Sequence, residues 1–69
     1  MMRIQLNGEP YECPDAATVA DLLGRLGVTG NRVAVELNLD ILPKGEYGAT
    51  RLKEGDRIEV VHFVGGGSQ

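Results

Sequence analysis

Three consecutive glycines, Gly65-Gly66-Gly67, followed by Ser68-Gln69, are the residues whose type and spacing point most directly to chemistry. They follow the apolar run Val60-Val61-His62-Phe63-Val64, whose residue types suit a pleated, half-buried surface. Glycine has no side chain to pack and carries the highest ordering cost of any residue. A strand that empties into three of them is expected to release a thin tail. Such a tail can be threaded into the active site of another protein, with its carboxylate as the reacting group. The same composition also describes a flexible linker or a frayed terminus, so the rest of the chain has to decide between these.

Other residues with reactive side chains do not assemble into a catalytic pattern. His62 is the only histidine. It lies close enough to the tail to reach a partner's active site, and the expectation is a partly exposed strand residue. Cys13 is the only cysteine. It alternates with Tyr11 in a strand-like segment, which predicts a small buried hydrophobe rather than a redox or sulfur-relay group. No Cys/His cluster has metal-ligand spacing, and no base lies near the serines and threonines. Gly65-Gly66-Gly67 is not a phosphate loop, because neither a helix nor a lysine follows it. The acids are scattered rather than paired. The chain is therefore expected to be no enzyme and to hold no cofactor of its own.

The elements that must position the tail come from one small domain of 69 residues. A chain this short buries only about 60% of the surface it exposes when unfolded, and one cysteine allows no internal disulfide. Formal net charge is -3, which argues against nucleic acid as a partner and fits protein partners. No apolar run is long enough to span a membrane. Met1-Met2-Arg3 leads straight into an alternating segment rather than a signal-peptide core. The expected location is cytoplasmic.

Met2-Arg3-Ile4-Gln5-Leu6 alternates as a half-buried strand, with Met2, Ile4 and Leu6 on the core side. Asn7-Gly8 is a strong hairpin signal, since both types tolerate positive φ. Tyr11-Glu12-Cys13 resumes the alternation between Pro10 and Pro14, as suits an edge strand. Thr18 is a helix N-cap with Asp21 three residues on, in the manner of a capping box. Val19, Leu22, Leu23 and Leu26 form one apolar stripe, and Gly27 is the stop. Gly24 inside this helix suggests a close approach to the sheet. Thr29-Gly30-Asn31 reads as a turn, and Arg32 to Asn38 as a strand with Val33, Val35 and Leu37 inward. Ile41-Leu42 is a short strand ended by Pro43, and residues 44–50 form a loop with Tyr47 as anchor. Thr50-Arg51-Leu52 is a small plug, Lys53-Glu54-Gly55-Asp56 a tight turn, and Arg57 to Val61 the last strand, with Ile58 and Val60 inward. This β-β-α-β-β-β order predicts an α+β fold: a mixed sheet of four to five strands with one helix across one face. That is the β-grasp, ubiquitin-like architecture, in which the first and last strands pair as central parallel neighbours. The predicted organisation is a domain over 1–64 and a glycine-rich tail over 65–69.

The segment from Arg32 to Asn38, then Ile41-Leu42-Pro43, then Leu52-Lys53-Glu54-Gly55-Asp56-Arg57-Ile58-Glu59-Val60-Val61, ending in Gly66-Gly67, resembles the ThiS family of sulfur carriers. Ile4-Gln5-Leu6-Asn7-Gly8-Glu9 and Thr18-Val19-Ala20-Asp21-Leu22-Leu23 are similar to it as well. The resemblance implies a carrier and substrate rather than a catalyst. It implies that a ThiF-like adenylyltransferase, using ATP and Mg²⁺, adenylates the carboxylate of Gly67. Sulfur from a cysteine desulfurase, delivered as a persulfide, then displaces AMP to give a thiocarboxylate. Thiazole synthase would receive that sulfur for the thiazole of thiamin. By the same resemblance Gly66 is the obligatory neighbour of Gly67, and Gly65 belongs to the recognised tail. The chemistry suits the residues: AMP makes a poor acyl donor a good one, and glycine puts no Cβ beside the attacked carbonyl.

The chain departs from the family's pattern in continuing past Gly67. Ser68-Gln69 would move the carboxylate about 7 Å further when extended and would put side chains in a channel meant for glycine. The expectation is that a peptidase removes them first. The alternatives are a tail altered from its natural form, or a chain that does not enter this pathway. Alternation also places Glu59, Val61 and Phe63 away from the helix. Val61 and Phe63 are then an apolar docking spot beside the tail, unless Phe63 folds back over the core. A MoaD-type carrier for molybdopterin shares the fold and the activation chemistry. A ubiquitin-like domain that binds partners without covalent change is the other alternative.

Overall fold

The structure, a computed structural model, describes residues 1–28 and 32–63. The Thr29-Gly30-Asn31 turn and the glycine tail, with the 64/65 domain boundary, lie outside the described residues. Strands β1 (Met2–Leu6) and β2 (Glu9–Cys13) form a hairpin, followed by helix α1 (Val19–Arg25). Strands β3 (Val33–Leu37), β4 (Asp40–Leu42) and β5 (Arg57–His62) follow, with one turn of 3₁₀ helix at Lys44–Glu46 between the last two. The five strands lie in the order β2-β1-β5-β3-β4. The first and last strands are central neighbours and run parallel, while every other pairing is antiparallel. This is the β-grasp topology expected from the sequence. The last strand runs one residue beyond the expected Val61, to His62.

The hairpin follows from Asn7 and Gly8, at φ 52 and 84, the two positive values that a type I′ turn requires. Pro10 lies within β2, opposite Gln5, and is tolerated because β2 is an edge of the sheet. Helix α1 starts on a full capping box. The Asp21 N–H donates to the Thr18 hydroxyl, and the Thr18 N–H donates to Asp21 Oδ2, each at 3.0 Å. Gly27, at φ 74, ends it, and its N–H and that of Val28 reach back to the carbonyls of Gly24 and Leu23.

Ile4, Val19, Leu22, Val35 and Ile58 fill the space between helix and sheet, with Met2, Cys13, Leu23 and Leu52 around them. Each fully buried aliphatic side chain contributes about 1.5–3 kcal/mol. Leu52 closes one end of this core. It is held there because its N–H donates to Ala17 and the Val19 N–H donates to Thr50. Tyr47 packs against the same cluster, as the loop anchor should. Gly24 does not serve a close approach to the sheet: a Cβ built there meets nothing within 4 Å.

Two asparagines at positive φ tie down β5 from both sides. Asn7 donates its backbone N–H to Ile58, and its Oδ1 accepts the Val60 N–H at 2.8 Å. Asn38, also at φ 52, donates its N–H to Arg57, and its Oδ1 accepts the Arg57 N–H at 3.0 Å. In each case the chain has turned away into a hairpin, and the side-chain carbonyl takes the place its backbone carbonyl would hold in the ladder.

Candidate functional site

The tail can only be presented by β5, so the anchorage of that strand sets where the tail begins. Strand β5 is clasped between β1 and β3. Its hold extends one residue past the strand, where the Phe63 N–H donates to the Arg32 carbonyl at 2.8 Å. Gly65, Gly66 and Gly67 lie outside the described residues, four positions and fewer beyond this last anchored residue.

Alternation along β5 separates two faces. Ile58 and Val60 turn to the helix, Ile58 being 1% exposed. Val61 and Phe63 are 52% and 54% exposed, so Phe63 does not fold back over the core. Val61 lies opposite Ala34 on β3, and Glu59 lies opposite Glu36, which in turn lies opposite Ile41 on β4. The open face of the sheet therefore carries Val61, Ala34 and Ile41 around a pair of opposed carboxylates, with Phe63 two positions before Gly65 in the chain. Ile41 is 77% exposed and belongs to this face. Its strand has only three residues, too few for alternation to show a face in the sequence.

His62 is exposed at the end of β5, opposite Val33. Cys13 is fully buried in the core, and burial pushes its thiol above the ordinary value. It is therefore a packing residue in the folded chain, as its alternation with Tyr11 indicated. Among the described residues no group of three acids, histidines or cysteines comes together as a metal site, and no helix is long and apolar enough to cross a membrane. Among the described residues one polar side chain is buried that the sequence did not mark: Asp56. Its Oδ1 accepts from Asn38 Nδ2 at 3.1 Å and its Oδ2 from the Lys53 N–H at 2.8 Å. It locks the turn before β5 to the β3–β4 turn and so fixes where β5 starts.

Comparison with known proteins adds to this geometry. The model of the ThiS family matches residues 4–67, ending on the third glycine. The chain is 42% identical over 65 residues to the sulfur carrier protein ThiS of Bacillus subtilis, covering 93% of this chain and 98% of that one. It is 50% identical over 66 residues to a thiazole synthase of Magnetococcus marinus, covering 96% of this chain but spanning only 20% of that protein. The crystal structure of the thiamine biosynthesis protein ThiS from Geobacter metallireducens superimposes with a TM-score of 0.81 at 36% identity, covering 96% of this chain and 100% of that one. With the β-grasp topology in place and the match running through Gly67, the chain belongs to the ThiS family of small sulfur carrier proteins, which are not themselves catalysts.

Proposed function

We propose that this chain carries sulfur as a thiocarboxylate on Gly67 and delivers it to thiazole formation in thiamin biosynthesis. The observation that carries this reading is the family match that ends at Gly67, four residues beyond Phe63, whose N–H is held by Arg32. Four residues span at most about 14 Å, enough to pass a carboxylate into a partner's channel while the folded body stays outside. A ThiF-like adenylyltransferase would supply ATP and Mg²⁺ and activate that carboxylate. A cysteine desulfurase would provide the sulfur that displaces AMP. Whatever follows Gly67, here Ser68-Gln69, has to be removed first by a peptidase.

Thiazole synthase is the proposed recipient. A stretch similar to this chain makes up a fifth of the Magnetococcus thiazole synthase, which supports a working contact between such a domain and that enzyme. It also favours the thiamin pathway over a MoaD-type role. Val61 and Phe63 are the proposed docking spot for these partners, with Ile41 at its far edge. Glu36 and Glu59, opposed across the sheet, present two carboxylates that suit a partner carrying a basic group. The proposed setting is cytoplasmic, with protein partners and neither nucleic acid nor membrane.

The test is activation in vitro. A chain ending at Gly67 is expected to support ATP–pyrophosphate exchange by a ThiF-like enzyme, and the chain carrying Ser68-Gln69 is not. Exchange with the longer chain, in the absence of any peptidase, would contradict the requirement for processing. No exchange with either chain would contradict the carrier role.

A further inference from the structure

The β1–β2 turn carries reactive chemistry that the carrier function does not use. Asn7 is followed by Gly8, both are exposed, and the space where a Cβ of Gly8 would lie is open to 4 Å. With no Cβ on the following residue, ring closure between a main-chain nitrogen and the preceding asparagine side chain meets its least steric resistance. We propose that Asn7 is a self-modification site, where the chain deamidates at a rate set by the hold of Asn7 on β5. The Gly8 nitrogen attacks Cγ of Asn7, and a new N–Cγ bond forms. The Cγ–Nδ2 bond breaks, and Nδ2 leaves as ammonia with the proton from the Gly8 nitrogen. The resulting succinimide then adds water. Opening at the side-chain carbonyl gives aspartate, and opening at the main-chain carbonyl gives isoaspartate. Water is the only co-reactant and no electrons are transferred.

The fold restrains this reaction. Oδ1 of Asn7 accepts the Val60 N–H at 2.8 Å, and Nδ2 donates to the Val60 carbonyl at 3.4 Å. Cγ cannot swing to the Gly8 nitrogen until both contacts release, so reaction follows local opening of the turn from β5. Asn38 provides an internal comparison. It has the same φ of 52, and its side chain is likewise held at both atoms, by Arg57 and Asp56. Its successor is Leu39, whose Cβ and branched side chain obstruct ring closure, so Asn38 persists.

Conversion loosens β5. A carboxylate at position 7 still accepts from Val60, but an oxygen now faces the Val60 carbonyl where Nδ2 donated. Isoaspartate adds a methylene to the main chain of the turn and displaces the Asn7 N–H from the Ile58 carbonyl, which it meets at 2.9 Å. The strand that carries Val61 and leads to Phe63 would then lose its rung at the Ile58 carbonyl.

The experiment incubates the full chain at mildly alkaline pH, folded and in guanidinium chloride, and maps the products by peptide mass and by isoaspartyl-specific methylation. The expected result is an NH₂-to-OH mass gain in the Asn7 peptide, slower in the folded chain by on the order of tenfold or more. In guanidinium, where folding plays no part, Gly8→Ala suppresses it and the Asn38 peptide stays unchanged. Equal rates in the folded and unfolded chains would overturn the proposal. So would conversion of Asn38 as fast as Asn7 in guanidinium, or an Asn7 peptide that never converts there.

Discussion

The side chain of Asn7 completes a rung beside Val60, 53 residues away, that its own backbone has turned away from. Backbone N–H groups of Gln5 and Asn7 donate to Asp56 and Ile58 along the parallel β1–β5 ladder. The next rung needs a carbonyl for the Val60 N–H, and Asn7 Oδ1 supplies it. Asn7→Ala leaves that N–H without its partner and puts alanine at positive φ. The expected loss is about 1–3 kcal/mol of stability, with faster hydrogen exchange at the Val60 amide than at Leu22 in α1. Unchanged exchange at Val60 would mean that the rung is not a significant restraint.

Asp56 does for the start of β5 what Asn7 does for its middle. Asp56→Ala removes both acceptors and strands the Lys53 N–H and Asn38 Nδ2, so it should cost about 1–3 kcal/mol in denaturant unfolding. Asp56→Asn keeps one acceptor oxygen and should lose less.

Gly24 offers a gain. A Cβ there meets no atom within 4 Å, and alanine is the better helix former. Gly24→Ala should raise stability by up to about 1 kcal/mol, read as an increase in Tm. A decrease would mean that the open space over Gly24 is used.

The capping box makes part of the stability depend on pH. The Thr18 N–H, and after it the Thr18 hydroxyl, hold the Asp21 carboxyl below its ordinary value. A folded value below the unfolded one means that the contribution is complete above the unfolded value of about 4 and fades as pH falls through the folded value. The Tm difference between the natural chain and Asp21→Asn should therefore be constant near neutrality and shrink below about pH 4.

Docking and folding should separate at Val61. With 52% of its surface exposed, Val61→Arg should change stability by no more than about 0.5 kcal/mol. The same change should slow activation by the adenylyltransferase, measured as pyrophosphate exchange at limiting carrier. An unaffected exchange rate would move the docking face elsewhere.

Much of this was legible in the sequence because it is local. Asn7-Gly8 announced the hairpin, Thr18 with Asp21 the helix start, Gly27 its end, and Pro10 an edge strand. Alternation correctly separated Ile58 and Val60 from Val61 and Phe63. What could not be seen depends on distant partners. Asp56, between Gly55 and Arg57, reads as a solvent-facing turn residue, and its burial is decided by Asn38, 18 residues earlier. The β3–β4 turn hides its type because Leu39, at φ 77, stands where glycine would normally signal it. Ala16, at φ 68, gives no signal for the same reason. Gly24 misled because a helical glycine suggests a close approach, and none is there.

Gly67 is the proposed site of the carried sulfur. The most direct measurement is intact mass after incubating the full chain with ATP, cysteine and a lysate of the source cells. The expected result is loss of Ser-Gln together with the gain from replacing one oxygen by sulfur. A control chain ending at Gly67 that stays unmodified under the same conditions would contradict it.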